Sequence, residues 1–126
     1  MEGHSYLRTH DLSAEHLVLD LGEVVTEMHG ASARGQSRGS VTLVKQSGMT
    51  IVLTHLHEGS SLGEHATKGA ASVQVLDGRI KVAIGDDTHE LVGGRLIAFD
   101  ADVRHSIDAL ETSTLLLTLV APLDTD

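Results

Sequence analysis

Histidine is the residue type through which this chain can most readily do chemistry. The sequence has nine histidines and no cysteine, and an imidazole can bind a divalent metal or transfer a proton near neutral pH. His55 and His57 lie two residues apart, His65 follows them, and His105 comes forty residues later. The absence of cysteine excludes disulfides, thiol nucleophiles, iron–sulfur clusters and zinc sites that use sulfur. The chemistry therefore depends on which imidazoles the fold brings together.

The composition excludes several functional classes. A chain of 126 residues corresponds to one domain, and 40% hydrophobic with 21% charged residues is typical of a folded globular protein. Nine Lys and Arg oppose 18 Asp and Glu, and the net charge of −9 repels a phosphate backbone. Tyr6 and Phe99 are the only aromatic residues, so bases lack stacking platforms and we expect no nucleic-acid binding. No apolar run approaches the ~20 residues of a membrane span, and the N-terminus lacks a signal-peptide pattern, so we expect no membrane association and a cytoplasmic protein.

The first forty residues are predicted to form a lead-in to the main body. Residues 1–15 indicate a loose arm, and residues 16–19 a short strand. Asp20 and Glu23 have the spacing of a capping box, which predicts a helix over 21–29 that ends at Gly30. Residues 31–40 are small and polar and indicate a flexible connector. The helix has one apolar face, formed by Leu21, Val24, Val25 and Met28.

From residue 41 onward, short apolar runs are separated by turn residues. They predict two-residue hairpin turns at Ser47-Gly48 and Asp77-Gly78, and a slightly longer turn at residues 85–87. Strands with no helices between them indicate an all-β antiparallel barrel over 41–121, with a polar tail at 122–126. The predicted strands cover 41–46, 49–57, 71–76, 79–84, 88–91, 95–99, 103–109 and 113–120.

Two groups of glycine and histidine recur in the barrel region at fixed offsets. Gly59 is followed by His65 and then by Gly78, and Gly94 is followed by His105. These offsets resemble the two signatures of the cupin family, and the resemblance extends over about residues 41–120. It implies a double-stranded β-helix, or jelly roll, of the RmlC-like type. The other signature positions are filled here by Thr67 and Ala71 in the first and by Asp100, Asp102 and Ala109 in the second.

The resemblance implies a metal site that this chain carries only in part. In metal-bearing cupins, two histidines and a glutamate of the first signature and the histidine of the second hold one divalent ion. Here His65 and His105 occupy two of these positions, whereas Thr67 and Ala71 occupy the others. A hydroxyl is a poor ligand for a transition metal and a methyl group is none. We therefore predict weak or no binding of Zn, Ni, Fe or Mn.

The other candidate ligands are placed less favourably. His55 and His57 alternate with positions 52, 54 and 56, which the resemblance places inside the barrel, so the two histidines are expected to face outward. His57 could become a ligand only if this alternation slips by one residue. Glu58 and Glu64 lie in a predicted loop, and either would reach the site only if that loop folded back. We therefore expect both carboxylates to be solvated.

Three further polar residues have competing interpretations. Asp100 and Asp102 precede His105 and would raise its pKa and orient its ring if they lay beside it, but aspartate is also an ordinary turn residue. His105 is also a candidate general base, because an imidazole titrates near neutral pH. His89 lies in a predicted hairpin rich in acidic residues, and we expect it at the surface.

The strand alternation also predicts the character of the barrel interior. If Ala71 points inward, Val73 and Val75 do so too, and a methyl group replaces the missing glutamate on an aliphatic wall. Such a pocket suits a small organic molecule with one acceptor or anionic group near the two imidazoles. The predicted ligand pocket is lined by His65, Thr67, Ala71, Val73, Val75, Phe99 and His105.

Three functional hypotheses follow. The leading one is a small-molecule-binding cupin with weak or no metal affinity. The second is a metal-dependent enzyme of the dioxygenase, isomerase or decarboxylase type, and the third is a structural or interaction protein with a filled barrel. Residues 115–120 are apolar on both faces of their strand, so one face needs cover from the predicted helix or from a second copy of the chain. We predict a homodimer.

Overall fold

One helix and nine strands make up the described part of the chain, residues 16–33 and 39–122 of a computed structural model. The predicted arm at 1–15, residues 34–38 of the predicted connector and residues 123–126 of the predicted tail lie outside the described residues. The elements are α1 (Leu21–Ala33), β1 (Ser40–Gln46), β2 (Met49–Leu56), β3 (Ser61–His65), β4 (Ala71–Asp77), β5 (Arg79–Ile84), β6 (Asp87–Val92), β7 (Leu96–Phe99), β8 (His105–Ala109) and β9 (Ser113–Val120).

The strands form two antiparallel sheets that enclose an aliphatic core. The five-stranded sheet has the order β1-β2-β9-β4-β7 and the four-stranded sheet the order β3-β8-β5-β6. Alternate residues of both sheets point inward and pack together, as in a sandwich closed into a barrel. This arrangement confirms the predicted all-β jelly roll. The buried core comprises Leu56, Val73, Val75, Ile80, Val82, Leu91, Phe99, Ile107, Ala109 and Leu115.

Helix α1 covers the outer face of the five-stranded sheet. Its N-terminus is capped as predicted, because the Glu23 backbone N–H donates to Asp20 Oδ1 at 3.1 Å. The helix continues past the predicted end at Gly30 to Ala33, since the alanines that follow sustain helix where a single glycine costs only about 1 kcal/mol. Residues 16–20 have no regular structure, so the strand predicted at 16–19 is wrong. A second buried cluster joins helix and sheet through Val24, Met28, Val41, Leu43, Val44 and Leu53.

One of the predicted hairpin turns instead carries the chain between the sheets. β4 pairs with β7 and β9, whereas β5 pairs with β6 and β8, so Asp77 and Gly78 connect strands of different sheets. Gly78 has a φ of 98°, and a Cβ there would overlap the side chain of Ser113 and approach the Thr112 carbonyl oxygen to 2.6 Å. A turn that contains glycine can therefore connect strands of different sheets as well as the two strands of a hairpin. The hairpin after β1 is confirmed. A hairpin also follows β5, but its turn has two residues, Gly85 and Asp86, rather than the predicted three, because Asp87 already pairs with Ile84.

Strand β3 is the element that the sequence interpretation missed. It spans Ser61–His65 and pairs with β8 at the edge of the four-stranded sheet. Leu62 is the only large apolar residue in the strand, so the hydrophobic alternation on which strand prediction depends is almost absent. The omission matters because β3 carries His65.

Candidate functional site

Two histidines forty residues apart meet on neighbouring strands. His65 ends β3, His105 begins β8, and the two residues are direct partners in the strand pairing. Their ring centroids are 4.3 Å apart, with an interplanar angle of 62°. Phe99, from the opposite sheet, lies parallel to the His105 ring at 3.9 Å and 9°. His105 therefore contacts an aromatic ring from the opposite sheet and a second imidazole from its own sheet.

Hydrogen bonds to the backbone fix the tautomer of both imidazoles. His65 Nδ1 lies 2.7 Å from the Gly63 carbonyl oxygen, and His105 Nδ1 lies 3.0 Å from the Val103 carbonyl oxygen. A carbonyl oxygen can only accept, so each Nδ1 carries the proton and donates it. In the neutral ring, Nε2 then presents a lone pair. With each Nδ1–H used on the backbone, a neutral ring presents an acceptor at Nε2, whereas the sequence analysis expected a ligand that itself carries an acceptor or anionic group.

His105 is kept in its neutral form by its surroundings. It is 3% exposed. Burial lowers the pKa of His105, the hydrogen bond to the Val103 carbonyl partly counteracts this, and the neighbouring His65 lowers it further. The expected rise of this pKa through nearby aspartates is wrong, because burial dominates and neither Asp100 nor Asp102 contributes.

Both aspartates serve the turn before β8. Asp100 Oδ1 accepts the Ala101 backbone N–H at 2.8 Å. Asp102, in the glycine position of the second cupin signature, has a φ of 65°, which explains why glycine suits that position. Its backbone N–H donates to the Thr67 carbonyl oxygen at 2.8 Å. This bond ties the turn to the segment that follows His65.

A surface ion pair reinforces the register of the two strands that carry the histidines. Glu64 and Arg104 each precede one histidine, and Arg104 Nη2 lies 3.0 Å from Glu64 Oε1. Both side chains are more than half exposed, so the pair contributes at most about 1 kcal/mol. Glu64 therefore pairs with Arg104 on the outside of the barrel and is not placed as a metal ligand.

Of the remaining predicted pocket residues, three form a buried wall and Thr67 lies apart from them. Ala71, Val73 and Val75 are buried, and the two valines belong to the barrel core, as the strand alternation predicts. Thr67 lines a different part of the molecule, a cavity of about 510 Å³ at the end of β9. The Thr67 hydroxyl donates to the Gly69 carbonyl oxygen at 2.8 Å, so its hydrogen bond is made within its own loop.

The donors present do not fit a resident divalent metal. Structural and catalytic sites use at least three protein ligands, and within residues 16–33 and 39–122 no three His, Asp or Glu side chains are arranged to hold an ion. His65 and His105 supply two nitrogens, and the other two signature positions contribute a methyl group and a hydroxyl that bonds its own backbone. Glu64 is paired with Arg104.

His55 and His57 lie outside the barrel, together with a histidine that the sequence interpretation did not single out. The His55 ring centroid is 5.3 Å from that of His29 on α1 and 5.3 Å from that of His57. Burial lowers the pKa of His55, and the two neighbouring imidazoles lower it further. His29 follows Val25 by one helical turn, and this spacing is the signal that would have placed it over the sheet.

His89 is exposed on β6, as expected for a surface hairpin. Helix α1 does not qualify as a membrane span, and within residues 16–33 and 39–122 no helix combines the length and apolar character needed to cross a bilayer.

Known proteins resemble this chain in fold and sequence. A conserved protein of unknown function from Streptococcus pyogenes is 30% identical, with a TM-score of 0.63 over 68% of this chain and 75% of that one. A manganese-containing oxalate decarboxylase from Bacillus subtilis is 25% identical, with a TM-score of 0.56 over 62% of this chain but 22% of that one. A cupin-2 domain protein from Shewanella frigidimarina is 14% identical, with a TM-score of 0.65 over 82% of this chain and 94% of that one, and so supports the fold alone.

None of the curated protein sequences matches the chain. The family model described as "Cupin domain" matches residues 52–121, more than half of the chain, and includes both histidines of the site. The chain therefore belongs to the cupin family.

Proposed function

We propose that this cupin binds a small organic molecule at the His65–His105 pair, through a hydroxyl or N–H group that donates to the imidazoles. The observation that carries the proposal is the orientation of both rings. Each Nδ1–H is used on a backbone carbonyl, so two Nε2 lone pairs remain for a ligand.

In this proposal the affinity for metal is weak or absent. Two imidazoles provide half of a four-ligand site, and water would have to fill the other positions. Binding without metal also suits the buried, neutral state of His105, because a neutral imidazole accepts a hydrogen bond without charge separation. The same nitrogen can act as a base toward an acidic O–H or C–H of the bound molecule.

The test uses phenol and anisole, which have a similar shape but differ in the O–H donor. Untagged protein is titrated with each probe while the imidazole ¹⁵N resonances are recorded. Phenol is expected to shift the Nε2 resonances of His65 and His105, and anisole is not. His105→Gln should abolish the response, whereas the matched control His89→Gln on the exposed hairpin should preserve it.

Equal responses to the two probes, or a phenol response that survives His105→Gln, would contradict the proposal. Elemental analysis of the same sample separates the alternatives. Stoichiometric Mn, Fe, Ni or Zn that survives dialysis would instead favour a metal-dependent enzyme.

The packed interior favours a second candidate, a structural or interaction protein with a filled barrel. Ten buried residues from both sheets form one continuous core, and Phe99 belongs to it. In that case, neither probe would shift the imidazole resonances.

We also propose that the chain forms a homodimer. Leu116, on the outer face of β9, packs against the buried cluster that joins helix and sheet. Helix α1 therefore covers the outer apolar face of β9. Apolar surface also stays open at the two sheet edges, where Leu96 on β7 is 59% exposed and Val92 at the end of β6 is 43% exposed. Sedimentation at micromolar concentration should give twice the 13.3 kDa mass, and Leu96→Lys should lower it. A single-chain mass for the wild type would contradict the proposal.

A further inference from the structure

A cavity with two lysines lies at one end of the barrel. It has a volume of about 510 Å³ and lies between the β1–β2 turn, the segment after β3 and the end of β9. We call it the lysine cavity, and its principal lining residues are Lys45, Met49, Thr67, Lys68, Leu119 and Val120. Its volume falls within the range of small-molecule sites.

The charge of the lysine cavity is opposite to that of the chain. The protein has 18 acidic and nine basic residues, yet Lys45 and Lys68 are the charged residues of this lining, and no carboxylate lies among them. The ion pairs within the described ranges involve Arg79 and Arg104, with Glu90, Glu111 and Glu64 as partners. Within the described ranges neither lysine forms an ion pair, and the lining of the cavity is locally attractive to anions.

Beside the lysines the lining is apolar and open. Met49 and Val120 are direct partners across β2 and β9, and they are 37% and 49% exposed. Leu119, next in β9, is half-buried. An exposed apolar strip of this kind gains stability when a ligand covers it. The lysine cavity therefore combines a positive rim with an apolar floor.

We propose that the lysine cavity binds an organic anion with an apolar body. The carboxylate of such a molecule would accept hydrogen bonds from Lys45 and Lys68, and its hydrocarbon part would cover Met49 and Val120, which are paired on one face of the sheet. Charge complementarity selects an anion over a neutral or cationic amphiphile of the same length. This site is separate from the His65–His105 pair and does not require a ligand there.

The test uses octanoate as the probe, with octanol and octylammonium as the neutral and cationic comparators. Binding is followed by backbone amide shifts, which identify the residues that respond. Octanoate is expected to shift amides of residues 45–50, 67–69 and 119–121, and to bind more tightly than octanol or octylammonium. The affinity for octanoate, but not for octanol, should fall between 0.05 and 0.5 M salt, because added ions screen exposed charges.

Matched variants separate charge from packing. Lys45→Gln with Lys68→Gln should weaken octanoate binding about fivefold, which corresponds to about 0.5 kcal/mol for each exposed ion pair. Lys81→Gln, on the other sheet, should leave the affinity unchanged. His105→Gln should also leave it unchanged, which distinguishes failure of this inference from failure of the proposed function.

Equal affinities for octanoate and octanol would overturn the inference, as would an octanoate affinity unaltered by the double lysine substitution. Asp124 and Asp126 follow the cavity closely in sequence, so the titration is repeated with Asp124→Asn and Asp126→Asn. No octanoate binding in either the wild type or this variant also refutes the site.

Discussion

Acidification through the imidazole range should destabilise the fold, and His105 should account for a measurable share. Burial lowers the pKa of His105 in the folded protein, whereas an unfolded histidine titrates near pH 6.5. Below that pH the unfolded state binds more protons than the native state, so this contribution to stability is complete above about pH 6.5 and is lost as the pH falls toward the folded pKa. If the native ring stays neutral throughout, the loss between pH 7.5 and 5.5 reaches an upper limit of about 1.4 kcal/mol.

Urea unfolding followed by far-ultraviolet circular dichroism measures this effect, because the chain has no tryptophan for fluorescence. The free energy of unfolding is determined at pH 7.5, 6.5 and 5.5 for the wild type, His105→Gln and the exposed-site control His89→Gln. The wild type should lose more stability over this range than His105→Gln does, by up to about 1.4 kcal/mol. An equal loss in wild type and His105→Gln, or a smaller loss in the wild type, would refute the assignment of a neutral buried imidazole.

Substitutions at four positions test the scaffold around the site, each by thermal or urea unfolding. Gly59→Ala and Gly78→Ala both place a side chain at positive φ, 87° and 98°, which should cost about 1–2 kcal/mol of unfolding free energy. Gly78→Ala should cost at least about 1 kcal/mol more than Gly59→Ala. The reason is that a Cβ at Gly78 overlaps the start of β9, whereas a Cβ at Gly59 meets open space. Equal costs would contradict the crossover geometry. Phe99→Leu should destabilise by about 1–2 kcal/mol and free His105 of its stacking partner, and an unchanged His105 ring resonance would argue against the stack. Asp102→Gly should be tolerated, whereas Asp102→Val at φ 65° should cost about 2 kcal/mol, and equal stabilities would show that the turn relaxes.

The sequence predicts the barrel well because its strands alternate strongly and its signature residues keep fixed offsets. Val73 and Val75 are in the core as their parity requires, and the outward placement of His55 follows from the same alternation. The proximity of His65 and His105 could be predicted only from the spacing of the two cupin signatures, because no local sequence pattern indicates it. Strand β3 escaped prediction because an edge strand with one large apolar residue has almost no periodic signal.

Other features could not be derived from the sequence because they depend on tertiary contacts. The crossover at Gly78 has the same residues as a hairpin turn, and only the pairing of β4 and β5 with different partners distinguishes them. The protonated nitrogen of each site imidazole is set by a carbonyl two residues away, Gly63 or Val103, whose direction no sequence pattern gives. The lysine cavity likewise joins positions 45 and 68, which are unrelated by any motif.

The place of β9 in its sheet has a consequence for biosynthesis. This strand, Ser113–Val120, lies between β2 and β4 and pairs with both. Until it has left the ribosome, two hydrogen-bonding edges that are internal in the finished sheet stay open along largely apolar strands, and such edges template aggregation. Closure of the barrel must therefore follow translation of residue 120, and we expect chains stalled before that point to be retained by chaperones.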